Sequence, residues 1–322
     1  MEALQTYFSL HRPAVEDYLQ QVLHELDPLI VPVAGHVLKA GGKRLRPLLC
    51  VLTAEALGYQ ERDVYPLASA LELLHSATLI HDDILDGAAM RRGQPAAHLS
   101  FGVQESVLAG DALLAKANTI IAEYDQPQLM RIVSEAIMAT ANGEIMEIAQ
   151  LRDPCVSETK YFQIIAEKTA VLIQASCECG AVLARADTRK RQAAKALGHH
   201  LGVAFQLVDD ALDYTSPEEC SGKPVGGDLR EGKLTLPLLL YLQRLPSADA
   251  ERIVAAMKTN TLDPGEQARI VEAIAGHRFA EATRQVATEY LDKARAALAQ
   301  LPTGPCQDLL ETVLDYVRYR NT

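Results

Sequence analysis

The sequence predicts an all-α protein, a large helical bundle, and three observations lead there. Apolar residues recur at helical spacing along nearly all of the 322 residues. No alternating apolar and polar run of useful strand length, and no internal repeat, interrupts them. With 48% hydrophobic residues the chain has material for a large core, and the expectation is one large helical domain over residues 1–322.

The elements follow in order. Val15, Leu19, Val22, Leu23 and Leu26 make the first apolar stripe, which ends near Pro28. A second helix runs toward Leu38 and stops at Gly41-Gly42, a C-terminal capping signal. Pro47 can open a third in its first turn, and that helix ends at Gly58. The fourth is long, from about 64 to 86. A loop with adjacent Arg91 and Arg92 follows, then helices at roughly 103–124 and 128–150, separated by Asp125-Gln126-Pro127. Ser157 is a candidate N-cap for a helix carrying Lys168-Thr169 in mid-run. Another helix runs from near Thr188 to Asp213. A Gly/Pro-rich loop over 214–228 leads into the remaining helices.

Composition excludes several classes. A net charge of −11 argues against a nucleic-acid surface. No basic segment followed by an apolar one marks a secretory signal, and no run reaches the eighteen apolar residues of a spanning helix. The six Cys form no C-x-x-C pair, so they read as reduced thiols of a cytoplasmic protein.

The organising stretch is Leu79-Ile80-His81-Asp82-Asp83-Ile84-Leu85-Asp86. On a helix Asp82 and Asp86 share one face, one turn apart. Like charges so placed cost a few tenths of a kcal/mol. Helix C-termini, where this motif falls, disfavour carboxylates further. Hard divalent cations with oxygen ligands offset both penalties. A single Asp-Asp-x-x-Asp is equally well a polar helix face, but the pattern returns as Asp209, Asp210 and Asp213. Basic residues sit on loops nearby: Lys43, Arg44 and Arg46, Arg91 and Arg92, Lys223 and Lys233, with Lys168 inside a helical run. Gly-rich loops allow close backbone approach, and Arg and Lys recognise phosphate. The combination predicts a protein that holds phosphate through Mg2+. No G-x-x-x-x-G-K-[ST] occurs, which argues against a P-loop nucleotide enzyme.

These residues resemble the all-trans polyprenyl diphosphate synthases, most nearly the bacterial octaprenyl type. The carriers are Gly41-Gly42-Lys43-Arg44-Leu45-Arg46-Pro47, the two acidic motifs, Met90-Arg91-Arg92-Gly93, Lys168-Thr169, Phe205-Gln206, Gly222-Lys223, Gly227-Asp228 and Glu231-Gly232-Lys233. The resemblance implies a homodimer of all-α isoprenoid-synthase bundles, each around a deep central cavity. It implies three Mg2+ held by Asp82, Asp86 and Asp209, with Asp83, Asp210 and Asp213 also counted among the metal-binding residues. Arg91, Lys168, Thr169, Gln206, Lys223 and Lys233 would meet the allylic diphosphate. Lys43, Arg46, His75 and Arg92 would bind isopentenyl diphosphate. The catalytic set would be Asp82, Asp86, Asp209, Lys168 and Arg91, making a long-chain product near C40. Tyr316-Val317-Arg318-Tyr319-Arg320 would fold over the entrance.

Chain length is read from size. Ala77 and Thr78, five and four residues before Asp82, are small, where short-chain relatives often carry an aromatic. Leu74 is moderate, and Ile121 and Val133 are candidates for the tunnel floor. The alternatives are a geranylgeranyl or farnesyl diphosphate synthase, a His-Asp metal phosphohydrolase built on His81-Asp82, a terpene cyclase, and a non-catalytic partner subunit. The phosphohydrolase needs further His ligands and has no use for the second motif. The cyclase usually mixes Asn, Ser/Thr and Glu in its second metal site. The partner subunit would have lost motif residues.

Overall fold

The computed structural model describes residues 1–150, 157–216, 225–259 and 261–320. Its elements begin with α1 (Glu2–Glu25), α2 (Val31–Lys39), α3 (Leu45–Ala56), α4 (Val64–Leu85), β1 (Met90–Arg91) and β2 (Gln94–Pro95). Then come α5 (Ala97–Phe101), α6 (Val103–Ala122), α7 (Pro127–Gln150) and α8 (Glu158–Ile165). A π-helical turn (Ala166–Ala170) joins α8 to α9 (Val171–Leu183), which α10 (Thr188–Asp213) follows. The rest is α11 (Gly227–Arg230), α12 (Leu236–Leu242), α13 (Ser247–Lys258), α14 (Pro264–Gly276), α15 (Phe279–Leu298) and α16 (Pro305–Tyr319). The all-α expectation holds.

The departures are local. α1 begins at Glu2 and runs through Pro13, because Leu4, Tyr7 and His11 extend the buried stripe of Val15, Leu19 and Val22 upstream. The stretch after Asp86 contains a two-stranded antiparallel hairpin, with Arg91 opposite Gln94. Its two turn residues, Arg92 (φ 51°) and Gly93 (φ 77°), both take the left-handed conformation of a type I′ turn. Two-residue strands leave no alternating pattern to read. The helix after Ser157 relaxes into the π-turn at Lys168-Thr169, a device common at functional sites. Ser157 does cap it, accepting a hydrogen bond from the Lys160 amide.

Contacts group the chain into two compact units. One comprises Met1–Ile137, Ala175–Lys195 and Leu298–Thr312. Its centre is α4, whose Leu67, Ala68, Leu71, Leu73, Leu74, Ala77 and Ile80 are buried and which packs on α1, α3 and α6. Each fully buried Leu contributes about 1.5–3 kcal/mol. The other comprises Met138–Gln174, Ala196–Ala297 and Val313–Thr322. There Leu197, Leu201, Ala204, Leu207, Val208 and Ala211 of α10 form the buried face. In each unit an acidic motif therefore ends a helix whose apolar length is fixed in a core. Lys223, Cys155 and Cys220 lie outside the described residues.

Candidate active site

The first acidic segment closes α4. Asp86 caps the helix, its amide bonded to the Asp82 carbonyl at 2.8 Å, so the two carboxylates stand one turn apart at its end. Asp83 faces the other way. It is 3% exposed and takes Arg91 from the hairpin, at 2.8 Å from Nε and 2.5 Å from Nη2. The motif thus presents two acids and uses the third to fix an arginine.

Around it lie the basic groups. Lys43 is exposed and Arg46 half-buried. Arg44, between them, is buried at 2% exposure. At φ 50° it turns inward to Glu72 at 2.7 Å, Glu16 at 2.9 Å and the Leu38 carbonyl at 2.6 Å. Its buried pairing anchors the loop that displays its two neighbours; breaking such a pair costs about 3–5 kcal/mol. Arg92 lies over Gly41-Gly42, donating to the Gly41 carbonyl. Gly42 takes φ 144°, a backbone conformation side chains rarely adopt, and a Cβ there would also crowd the Arg92 guanidinium at 2.8 Å, so glycine is favoured. Burial, then the charges of Arg46, Arg92, Arg91 and Arg44, hold the His75 imidazole well below its ordinary range. His75, Arg46 and Arg92 are thus near one another.

The second segment closes α10, and its carboxylates divide differently. Asp210 is buried and accepts from Tyr161 at 2.5 Å and from Gln206 Nε2 at 2.7 Å. Burial pushes it up to about 7, with the Asp209 and Glu147 charges adding to the rise against those two hydrogen bonds. Asp213 accepts the backbone amides of Gly227 at 3.1 Å and Asp228 at 3.0 Å. It fixes the start of α11 and with it the turn to Lys233, which pairs with Glu231 at 2.7 Å. Asp209 is half-buried and pairs with Arg320 near the C-terminus, whose guanidinium also lies 5.0 Å from the Phe205 ring.

Lys168 and Thr169, on the π-turn, serve different helices. The Lys168 ammonium is bracketed by Glu144, at 2.7 Å, and Glu147 of α7. Thr169 donates to Gln206 Oε1 at 2.9 Å, which continues to Asp210. Of the chain-length candidates, Leu74, Ala77, Ile121 and Val133 are all buried. Thr78 is half-buried and bonds back to the His75 carbonyl at 2.9 Å. His81 turns to α6, with Nε2 3.2 Å from the Val107 carbonyl and 3.7 Å from Asp111. Among the described residues no group of three His, Cys, Asp or Glu side chains is gathered as a metal cage.

The family model for polyprenyl synthetases matches residues 27–274. The chain belongs to the polyprenyl synthetase family. It is 37% identical over 286 residues to an octaprenyl diphosphate synthase of Escherichia coli strain K12, across 88% of this chain and 87% of that one. It is 34% identical over 307 residues to heptaprenyl diphosphate synthase component 2 of Bacillus subtilis strain 168, across 95% and 87% of the two chains. A crystal structure of a polyprenyl synthase from Caulobacter crescentus CB15, complexed with calcium and isoprenyl diphosphate, superposes at a TM-score of 0.91. That chain is 38% identical, with 99% of this chain and 98% of that one covered. The prenyltransferase reading and the isoprenoid-synthase fold are thereby established.

Membership does not explain every residue the geometry brings in. Tyr161, Glu144, Glu147, Glu72 and Glu16 all touch the basic and acidic motifs, yet lie outside the stretches that carried the family resemblance. Only the Glu144/Glu147 spacing of three, placing both on one helix face, was available in the sequence as a signal.

Proposed function

We propose that this prenyltransferase condenses isopentenyl diphosphate head-to-tail onto an allylic diphosphate, in trans, building a long-chain polyprenyl diphosphate near C40. The observation that carries the reading is the division within each acidic motif. One carboxylate stands at the helix end while the next is held inside by a partner. Asp82, Asp86 and Asp209 are the acids we assign to Mg2+, three ions in number by the family pattern. Asp83, Asp210 and Asp213 hold Arg91, Gln206 with Tyr161, and the Gly227-Asp228 backbone, so we assign them to positioning rather than to the metal. The donor set suits Mg2+, which takes one or two carboxylates, waters and substrate phosphate oxygens rather than an all-protein cage. Asp209 already accepts a cation, the Arg320 guanidinium.

Arg91, aimed by Asp83, and Lys168, with Thr169, Gln206, Lys233 and Lys223, would bind the allylic diphosphate. Lys43, Arg46, His75 and Arg92 would bind that of isopentenyl diphosphate. Bound Mg2+ would stabilise the charge that develops on the departing diphosphate. The fixed guanidiniums and ammoniums act on the same charge without reorganising. An apolar channel past Leu74, Ala77, Thr78, Ile121 and Val133 would accept the growing chain and keep water from the cation. We assign residues 1–322 to a single polyprenyl synthase domain.

We further propose a homodimer. α6 exposes Val103, Val107 and Leu108, and α7 exposes Met138 and Ile145, seven apart on one face, apolar stripes that a second copy would cover. Among the described residues no helix is long and apolar enough to cross a membrane, and we assign the enzyme to the cytoplasm. The test is incubation with isopentenyl diphosphate, farnesyl diphosphate and Mg2+, with product length read by chromatography. A product near C40 is expected; one stopping at C15 or C20 refutes the long-chain reading.

A further inference from the structure

The Lys168 ammonium sits among more negative charge than a phosphate-binding group needs. Glu144 Oε2 lies 2.7 Å from Nζ, and Glu147 also pairs with it. Two carboxylates around one ammonium leave the cluster net negative, which weakens its attraction for a diphosphate. Their use is therefore geometric. A free lysine side chain samples many rotamers, and ordering it costs entropy. On one face of α7, Glu147 accepts a hydrogen bond from the ammonium and Glu144 pairs with it by charge, which restricts where Nζ can sit.

The backbone is built around this contact. Gly143, next to Glu144, has no room for a side chain: a Cβ there would lie 2.5 Å from the Lys168 nitrogen and 2.9 Å from its Cα. From α10, Gly202 makes the matching approach, where a Cβ would lie 2.6 Å from Ala170 Cα. Glycines from two helices thus contact the π-turn. The extra residue in that turn lets Lys168 address α7 while Thr169 addresses Gln206 of α10.

We propose that Glu144 and Glu147 are a positioning pair for Lys168, aiming its ammonium at the allylic diphosphate. This rests on the assignment of Lys168 to that substrate. The pair touches no substrate itself and acts only through the lysine.

A double-mutant cycle tests this. The variants are Glu144→Gln/Glu147→Gln, Lys168→Ala and the triple substitution, with Glu147→Gln alone as the milder change should the double fail to fold. Steady-state kinetics give kcat/KM for farnesyl diphosphate and KM for isopentenyl diphosphate. The glutamine pair is expected to lower kcat/KM for the allylic substrate about tenfold, within the coupling that contacting residues show. KM for isopentenyl diphosphate should hold within twofold. In the Lys168→Ala background the same substitutions should change nothing beyond twofold. An equal fall in both backgrounds means the glutamates act structurally and overturns the proposal. A rise in kcat/KM does so too, showing that their charge matters and their aim does not. Full activity of Lys168→Ala alone overturns the assignment of Lys168 itself, and the pair's role with it.

Discussion

The two acidic segments share one pattern and end two buried helices, yet they settle their charge by opposite means. At the end of α4, Asp83 is neutralised by a full cation, Arg91. At the end of α10, among the described residues, the corresponding Asp210 meets neutral donors, Tyr161 and Gln206, and burial raises it to about 7. The third positions differ as well. Asp86 is exposed at the helix cap, whereas Asp213 is committed to two backbone amides. In each motif the first acid, Asp82 or Asp209, is half-buried, while the surroundings decide what the inner acid holds. The first segment spends its inner acid on a substrate-type arginine, and the second spends its own on aligning helices.

The presented acids should be where the two segments agree. Asp82→Ala and Asp209→Ala are each expected to lower kcat by orders of magnitude in Mg2+, since on the proposed assignment each would remove an oxygen ligand from the metal that stabilises the leaving diphosphate. Both variants should fold, because each deletion relieves repulsion at a helix C-terminus. Circular dichroism checks the fold, and turnover checks the role. Near-normal turnover in either variant breaks the equivalence.

Product length should distinguish the segments. Ala77 and Ala204 stand five residues before Asp82 and Asp209 respectively, and both are buried. Ala77→Tyr is expected to shorten the product to roughly C15–C20 by filling volume the chain needs. Ala204→Tyr should leave the product long and only lower stability, by about 1–3 kcal/mol of overpacking. Chromatography of the products and thermal melts read the two effects. A long product from a folded, active Ala77→Tyr enzyme would move the channel to another face of α4.

The inner acids should differ in cost. Asp83→Asn leaves the Arg91 guanidinium without its charged partner. We expect a loss of about tenfold in kcat/KM for the allylic substrate, near the 1.5–3 kcal/mol of a charge-assisted bond. Asp210→Asn resembles the protonated carboxyl that its raised pKa already favours, and it can still meet Tyr161 and Gln206. A loss of about two- to threefold is expected. If the second loss equals the first, the neutral setting of Asp210 is not what distinguishes the segments.

The pattern of legibility follows from the same contrast. Helix existence was readable because apolar periodicity is long and regular, and the presented acids because carboxylates stacked at a helix C-terminus are costly without a use. What the sequence could not show were pairings made at a distance. Arg44 reads as one more surface cation between Lys43 and Arg46, yet it is buried against Glu16 and Glu72, 28 residues away in each direction. Tyr161 is separated from Asp210 by 49 residues. The Arg92-Gly93 turn and the π-turn at Lys168 are too short to leave a period.

The smallest expected effect is in the pH dependence of stability, where the segments should respond with opposite sign. His75 beside the first motif is held well below 6.5 by burial and by four arginines. The unfolded chain therefore binds a proton near pH 6.5 that the folded chain refuses, and stability falls as pH drops through 6.5. Asp210 in the second motif has its folded pKa raised from 3.8 to about 7. Between those values the folded chain binds the extra proton, so stability falls as pH rises through that window. His75→Gln should flatten the acid-side loss and Asp210→Asn the loss toward neutral pH. Urea midpoints between pH 5 and 7.5, with metal chelated, read both slopes. If either substitution steepens the slope it is expected to flatten, the sign assigned to that group is wrong and the contrast between the two segments fails at that point.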